Sequence, residues 1–139
     1  MDWRGWALAL LIMAGGPAAR AETAVKLGVL TDLSGVYSEA TGAGSVVATR
    51  MAAEDCLLAE CRGMTIEVVA ADHQNKPDVA LAIAREWVDT GHVDALVDMS
   101  NAAIQLAIAP FVAQKDRVAL FAGGTARLSG DACQPEHIV

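Results

Sequence analysis

The stretch VDMSNAAIQLAIAP begins as an apolar run and ends as an alanine-rich one, with Ser100 and Asn101 at the seam and Ala102 next in line. A hydroxyl and an amide where a strand hands over to a helix can do two things. They can cap the helix by accepting its unpaired N–H groups. They can also frame its N-terminus as an anion site, because first-turn N–H groups lack intrahelical acceptors and carry partial positive charge. The two roles are compatible. A second cluster, Gly123-Gly124-Thr125, offers main chain that a ligand can approach without meeting a Cβ, then a hydroxyl that can donate to a carboxylate or accept from an ammonium group. A plain turn is the other reading of the two glycines. Tyr37 can supply an apolar wall with a polar tip, or be an ordinary exposed loop residue.

Other chemistries fit less well. Asp72 stands where a dinucleotide enzyme places its ribose-binding acid, but a GxGxxG turn must directly follow the first strand, and here the long TDLSGVYSEATGAGS intervenes. Asp72 is read as a turn or cap residue. Asp32 and Asp98 end the first and third strands, as in a magnesium-binding phosphoacceptor domain, but the export signal described below removes the phosphorelay such a domain needs. They are read as solvated strand-end aspartates. His73, His92 and His137 lack paired ligand spacing, so no metal is expected, and Glu54-Asp55 is read as a solvated helix face. No catalytic residue and no cofactor are assigned.

These side chains need elements to hold them. VKLGVLTD, TIEVVAAD, HVDALVDM and RVALFAGG are apolar runs bounded by turn residues, the pattern of buried strands. Between them lie three helical stretches. VVATRMAAEDCLLAE places Val47, Met51 and Leu58 on one face. NKPDVALAIAREWVDTG repeats Val79, Ile83 and Trp87 every four residues, with Pro77 in its first turn and Gly91 as its stop. NAAIQLAIAPFVAQKD contains Pro110, which is expected to kink or divide it. TARLSGDACQPEHIV reads as a loop. Strands and helices in strict alternation predict an α/β fold with a doubly wound parallel sheet. Ligands of such sheets bind beyond the carboxyl ends of the strands, in loops 32–44, 72–77, 98–101 and 122–127.

At the N-terminus, a short segment with one arginine, the apolar GWALALLIMAGG and the small residues of ARA predict a secretory signal peptide over 1–21. The apolar run is too short to span a membrane. The mature chain is therefore expected to be periplasmic, without membrane insertion. A formal charge of −7 repels phosphate backbones, so no nucleic-acid partner is expected. Cys56 and Cys61 can pair across a helix end in an oxidising compartment or persist as a reduced, buried pair, while Cys133 lacks a partner. The last residues carry no terminating element, and a fragment of a longer lobe is expected.

Three blocks carry a family likeness: VKLGVLTDLSGVYSEATGAGSVVATRMAAED, VVAADHQNKPDVALAIAREWVDTGHVDALVD and SNAAIQLAIAPFVAQKDRVALFAGGTARLSG. From about Val25 onward they resemble the branched-chain amino-acid (leucine/isoleucine/valine-binding) type of ABC-transporter substrate-binding protein. The resemblance implies a type I periplasmic-binding-protein fold of two α/β lobes closing on a ligand, with residues 22–139 forming the N-terminal part of lobe one. It implies no enzymatic activity and a partnership with ABC permease membrane subunits. The ligand would be an amino acid or a related small carboxylate or amide, held in lobe one by Ser100, Asn101 and Ala102, by Gly123, Gly124 and Thr125, and by Tyr37 lining the cleft. Hydroxyl side chains often stand in the family where this chain has Ala102 and Ala103, which leaves room for aromatic acids or amides. The acid that pairs an ammonium group belongs to the second lobe. An exported ligand-sensing receptor domain of the same fold is the alternative.

Overall fold

The computed structural model describes residues 23–139, so the expected signal peptide lies outside the described residues. The element order is β1 (Thr23–Thr31), α1 (Gly42–Leu58), β2 (Met64–Asp72), α2 (Pro77–Asp89), β3 (Ala95–Asp98), α3 (Ala102–Gln114), β4 (Val118–Phe121) and β5 (His137–Ile138). The strands form one parallel sheet in the order β2-β1-β3-β4-β5. The chain leaves β1 toward one side and, after β2, returns past β1 to β3. Right-handed crossovers therefore place α1 on one face and α2 with α3 on the other. This is the doubly wound α/β sheet of a partial type I lobe, with its reversal point between β1 and β3.

The core lies on the α2–α3 face. Leu30 and Leu96 from the sheet, Ala80 and Ala84 from α2, and Ile104, Ile108 and Val112 from α3 are fully buried. Spaced every four residues, the three α3 side chains form one stripe, and each stabilises the fold by roughly 1.5–3 kcal/mol. Gly28 serves the same face: a Cβ there would come within 2.6 Å of the Trp87 ring, so its absence lets the indole lie against β1.

Three details differ from the sequence expectation, and the cysteines adopt one of the two states it allowed. Val47, Met51 and Leu58 are exposed, and α1 buries Gly42, Val46 and Ala53 instead. Apolar and small residues surround this helix on every side, so periodicity does not single out its inward face. The α3 helix runs unbroken from Ala102 to Gln114 with Pro110 inside it and exposed. The stretch read as a loop ends in β5, where His137 is buried against the Phe121 ring at 5.5 Å between centroids. A two-residue strand is too short to leave a periodic signal. Cys56 and Cys61 form a disulfide across the end of α1, and Cys133 is free and exposed. No helix among the described residues is long and apolar enough to cross a membrane.

Candidate functional site

The four loops at the carboxyl ends of β1 to β4 share one edge of the sheet, and side chains stitch each loop to the next. Asp72, ending β2, accepts from the Leu33 N–H at 3.0 Å, the Ser34 hydroxyl at 2.6 Å and the Gln74 N–H at 2.7 Å, which ties the β1 and β2 loops together. Asn101 Nδ2 donates to Asn75 Oδ1 at 2.6 Å, joining the β2 and β3 loops. Gln105 Nε2 donates to the carbonyls of Met99 at 2.8 Å and Gly123 at 3.0 Å, joining the β3 and β4 loops. The edge is preorganised by these cross-links before any ligand arrives.

Inside the β1 loop, Asp32 is fully buried and accepts from the Gly35 N–H at 2.7 Å and the Tyr37 N–H at 3.0 Å. Asp98 is also buried, and its carboxylate oxygens have no donor among the described residues. Neither is the solvated strand-end aspartate expected from sequence. The apolar run before each residue carries it under the loops. Asp72 does act as the turn residue anticipated. Burial opposes its charge, but the Ser34 hydroxyl, the Gln74 and Leu33 N–H groups and nearby His73 together hold its pKa below the ordinary 3.8.

The β2 loop turns through His73 to Lys76. The Lys76 N–H donates to the His73 carbonyl at 2.9 Å, while Gln74 and Asn75 are left-handed at φ 52° and 55°. Two consecutive left-handed residues closed by this bond make a type I′ turn. His73 is fully buried, and its Nδ1 accepts from the Asn75 N–H at 3.0 Å. Burial pushes its pKa below 6.5 against the opposing pull of Asp32, Asp98 and Asp72, so the imidazole is neutral with its proton on Nε2.

The residues singled out by sequence divide into two groups. Asn101 is the cap of α3: its Oδ1 accepts from Ala103 N–H at 2.7 Å and Ile104 N–H at 3.4 Å, and its Nδ2 gives one proton to Asn75. The Ala102 N–H has no acceptor among the described residues, nor do the N–H groups of Gly123, Gly124 and Thr125. Ala102, Gly123 and Gly124 are exposed, and Gln105 holds the two stretches to one another. Ser100 Oγ is buried without a partner. Gly123 needs its φ of +84°, whereas Gly124 needs space, because a Cβ there would collide with the Val139 side chain. Thr125 Oγ1 accepts weakly from the Arg127 N–H at 3.4 Å, which leaves its proton to donate. Tyr37 lies on the neighbouring β1 loop, partly exposed beside the exposed Leu33 and Val36, and no hydrogen bond joins its ring to the other two stretches.

Asp32, His73, Asn75 and Gln105 escaped the sequence reading. Of these, Gln105 leaves a usable signal, as an amide in the first turn of an otherwise apolar helical run that ends at Gln114. A hollow of about 380 Å³ between Lys26, Glu67, His92 and Asp94 lies at the opposite edge, where Lys26 already pairs with Glu67 at 3.1 Å. Another of about 300 Å³ lies beneath α1, between Ser45, Thr49, Val97 and Leu120. The unpaired donors line neither hollow. They form an open half-site with one wall.

The sequence pattern of the periplasmic binding protein family matches residues 24–139. No curated protein sequence matches the chain. Among solved structures, a periplasmic binding protein from Burkholderia mallei is 40% identical over 84% of this chain and 31% of its own, with a TM-score of 0.76. A branched-chain amino acid ABC transporter periplasmic ligand-binding protein from Burkholderia xenovorans is 42% identical over 83% of this chain and 31% of its own, with a TM-score of 0.77. A Rhodopseudomonas palustris solute-binding protein, solved with 3,4-dihydroxybenzoic acid, is 17% identical with a TM-score of 0.65 and shares the fold. The chain spans about a third of the length of these structures.

Proposed function

The chain belongs to the periplasmic binding protein family, and we propose that it supplies the N-terminal part of one ligand-gripping lobe of an exported solute-binding protein that serves an ABC importer. Residues 1–21 direct export, and residues 22–139 form the N-terminal part of lobe one. The protein binds a small carboxylate, of an amino acid or a related acid or amide, without transforming it. Ligand bridging two lobes favours the closed form, which the permease subunits recognise.

The observation that carries this reading is the row of unused main-chain donors on the open edge: Ala102, then Gly123, Gly124 and Thr125, held together by Gln105. The edge lies at the reversal point of the sheet, where open α/β sheets bind ligands. A carboxylate there takes charge-assisted hydrogen bonds from groups that otherwise face water. Leaving a buried hydroxyl unpaired costs about 1–3 kcal/mol, and Ser100 Oγ, two residues before Ala102, is a donor for the same carboxylate. Tyr37, with Leu33 and Val36, forms the apolar lip above it. The chain's 42% identity to the branched-chain amino acid binder favours an amino-acid ligand, while Ala102 and Ala103 leave the site without the side-chain hydroxyls frequent in that group.

Thermal-shift and calorimetric titration of the intact protein with amino acids, aromatic acids and amides tests the reading. At least one carboxylate should bind, and Ser100→Ala should weaken it about tenfold, a loss of ~1.4 kcal/mol, without lowering the melting temperature. Binding by neutral amides alone, or unchanged affinity in Ser100→Ala, would overturn the assignment of this edge.

A further inference from the structure

Four hydrogen bonds, the last two sharing one acceptor, run from the buried centre of the edge to the first turn of α3. His73 Nδ1 accepts from the Asn75 N–H at 3.0 Å, Asn75 Oδ1 accepts from Asn101 Nδ2 at 2.6 Å, and Asn101 Oδ1 accepts from the Ala103 and Ile104 N–H groups. We infer that His73 and Asn75 are positioning residues, which lock the Asn101 amide onto α3 and so determine which donors remain for an anionic ligand. The inference rests on the carboxylate-binding reading of this edge and deepens it.

A primary amide presents an acceptor on one side and two donors on the other. If Asn101 were free to rotate about its side-chain bonds, it could leave the helix and offer Nδ2 to the open edge. Its place on α3 would then be vacant, and the Ala103 and Ile104 N–H groups would join Ala102 in the site. Asn75 prevents this by holding Nδ2 on the side away from the helix. The half-site keeps a single α3 donor, the Ala102 N–H, set against the donors of residues 123–125. That narrow arrangement suits one carboxylate group and not a larger oxyanion that would occupy a whole helix turn.

Asn75 holds Nδ2 only while its own main chain stays in the left-handed turn, and His73 secures that turn from within. Accepting the Asn75 N–H requires a bare Nδ1, so the neutral imidazole is part of the device. The charged groups facing His73 are Asp32 from the end of β1, Asp72 from the end of β2 and Asp98 from the end of β3. All three favour a proton on the ring, and burial opposes it. Protonation of Nδ1 would turn the acceptor into a donor aimed at the Asn75 N–H, which would release the turn and then Asn101.

Asn75→Gly is the clean deletion, because glycine keeps the left-handed conformation while removing the acceptor. In the intact protein, hydrogen exchange at the Ala103 N–H should quicken, and affinity for L-leucine or benzoate, whichever the wild type binds, should fall about fivefold, the weight of one neutral hydrogen bond. His73→Leu should reproduce the loss. His73→Asn, whose amide oxygen can stand where Nδ1 does, should restore binding. Unchanged Ala103 protection in Asn75→Gly would overturn the positioning role, as would faster exchange with unaltered affinity in a wild type that binds a probe. If neither probe binds the wild type, the carboxylate reading fails, and the exchange data still decide whether His73 and Asn75 hold Asn101 in place.

Discussion

The two halves of the sheet's ligand edge solve the same problem with opposite chemistry. On the β1–β2 side the loops are held by carboxylates: Asp32 takes two main-chain N–H groups, and Asp72 takes two more with the Ser34 hydroxyl. On the β3–β4 side they are held by neutral amides, Asn101 and Gln105. The acidic half uses its loop N–H groups internally. In the neutral half, Gln105 ties the loops through their carbonyls and leaves the N–H groups of residues 123–125 outward. The difference shows how a chain with a formal charge of −7 can present an anion site. Local hydrogen bonding decides what a ligand meets, and the two carboxylates that take main-chain donors, Asp32 and Asp72, sit on the β1–β2 half.

The division is broken most forcefully at Asp32. Asp32→Ala leaves the Gly35 and Tyr37 N–H groups without their charged acceptor, and should cost about 3 kcal/mol of stability in chemical denaturation. Affinity measured on the fraction still folded should fall only a little, because the lost bonds hold the Tyr37 loop and not the stretches of Ala102 and Gly123. A variant with native stability would mean that loop needs no internal anchor.

The matching change on the neutral half is Gln105→Met, which keeps volume and removes both donors. Two carbonyls are left unpaired, so stability should fall by about 2 kcal/mol. Here affinity for the carboxylate should fall with it, since the stretches at Ala102 and Gly123 are no longer held together. Equal affinity in Gln105→Met and wild type would show that the two stretches act separately, and the comparison between halves would lose its functional side.

How much of this was legible depends on whether a residue's role is local. Strands β1 to β4 and all three helices follow from runs and repeats within the sequence, and the helix start at Asn101 follows from one residue type at one junction. The two stretches of free donors were reached through family likeness, and the structure brings them together. Asn75 could not be found by pattern, nor could the loops that Gln105 and Asp72 join, since each acts on a loop 18 to 39 residues away. Nothing in the local sequence specifies such a pairing until the sheet order is known. Asp32 and Asp98 were misread for a related reason: the β1 loop folds back to donate to Asp32, and Asp98 is buried at the end of β3, and neither is announced by the strand pattern. The inward face of α1 was misjudged because Val47, Met51 and Leu58 compete with smaller residues that pack closer to the sheet.

The mildest test uses protons. Most titratable groups of the edge lie on the acidic half; Asp98, buried at the end of β3, and Arg127, two residues past Thr125, are on the other side. His73 has its pKa depressed by burial below 6.5. The unfolded chain therefore binds this proton first as pH falls, and stability is full above 6.5 and declines as acid approaches the folded value. Asp72, held below 3.8 by the bonds it accepts although burial alone would raise it, acts in the same direction in a lower window. The melting temperature should be level above pH 6.5, fall gently beneath it, and fall again below about 3.8. In His73→Asn the first decline should disappear and the second remain, and in Asp72→Asn the reverse. A first decline that persists in His73→Asn would mean that another group is the sensor, and the acidic half would no longer account for the protein's response to pH.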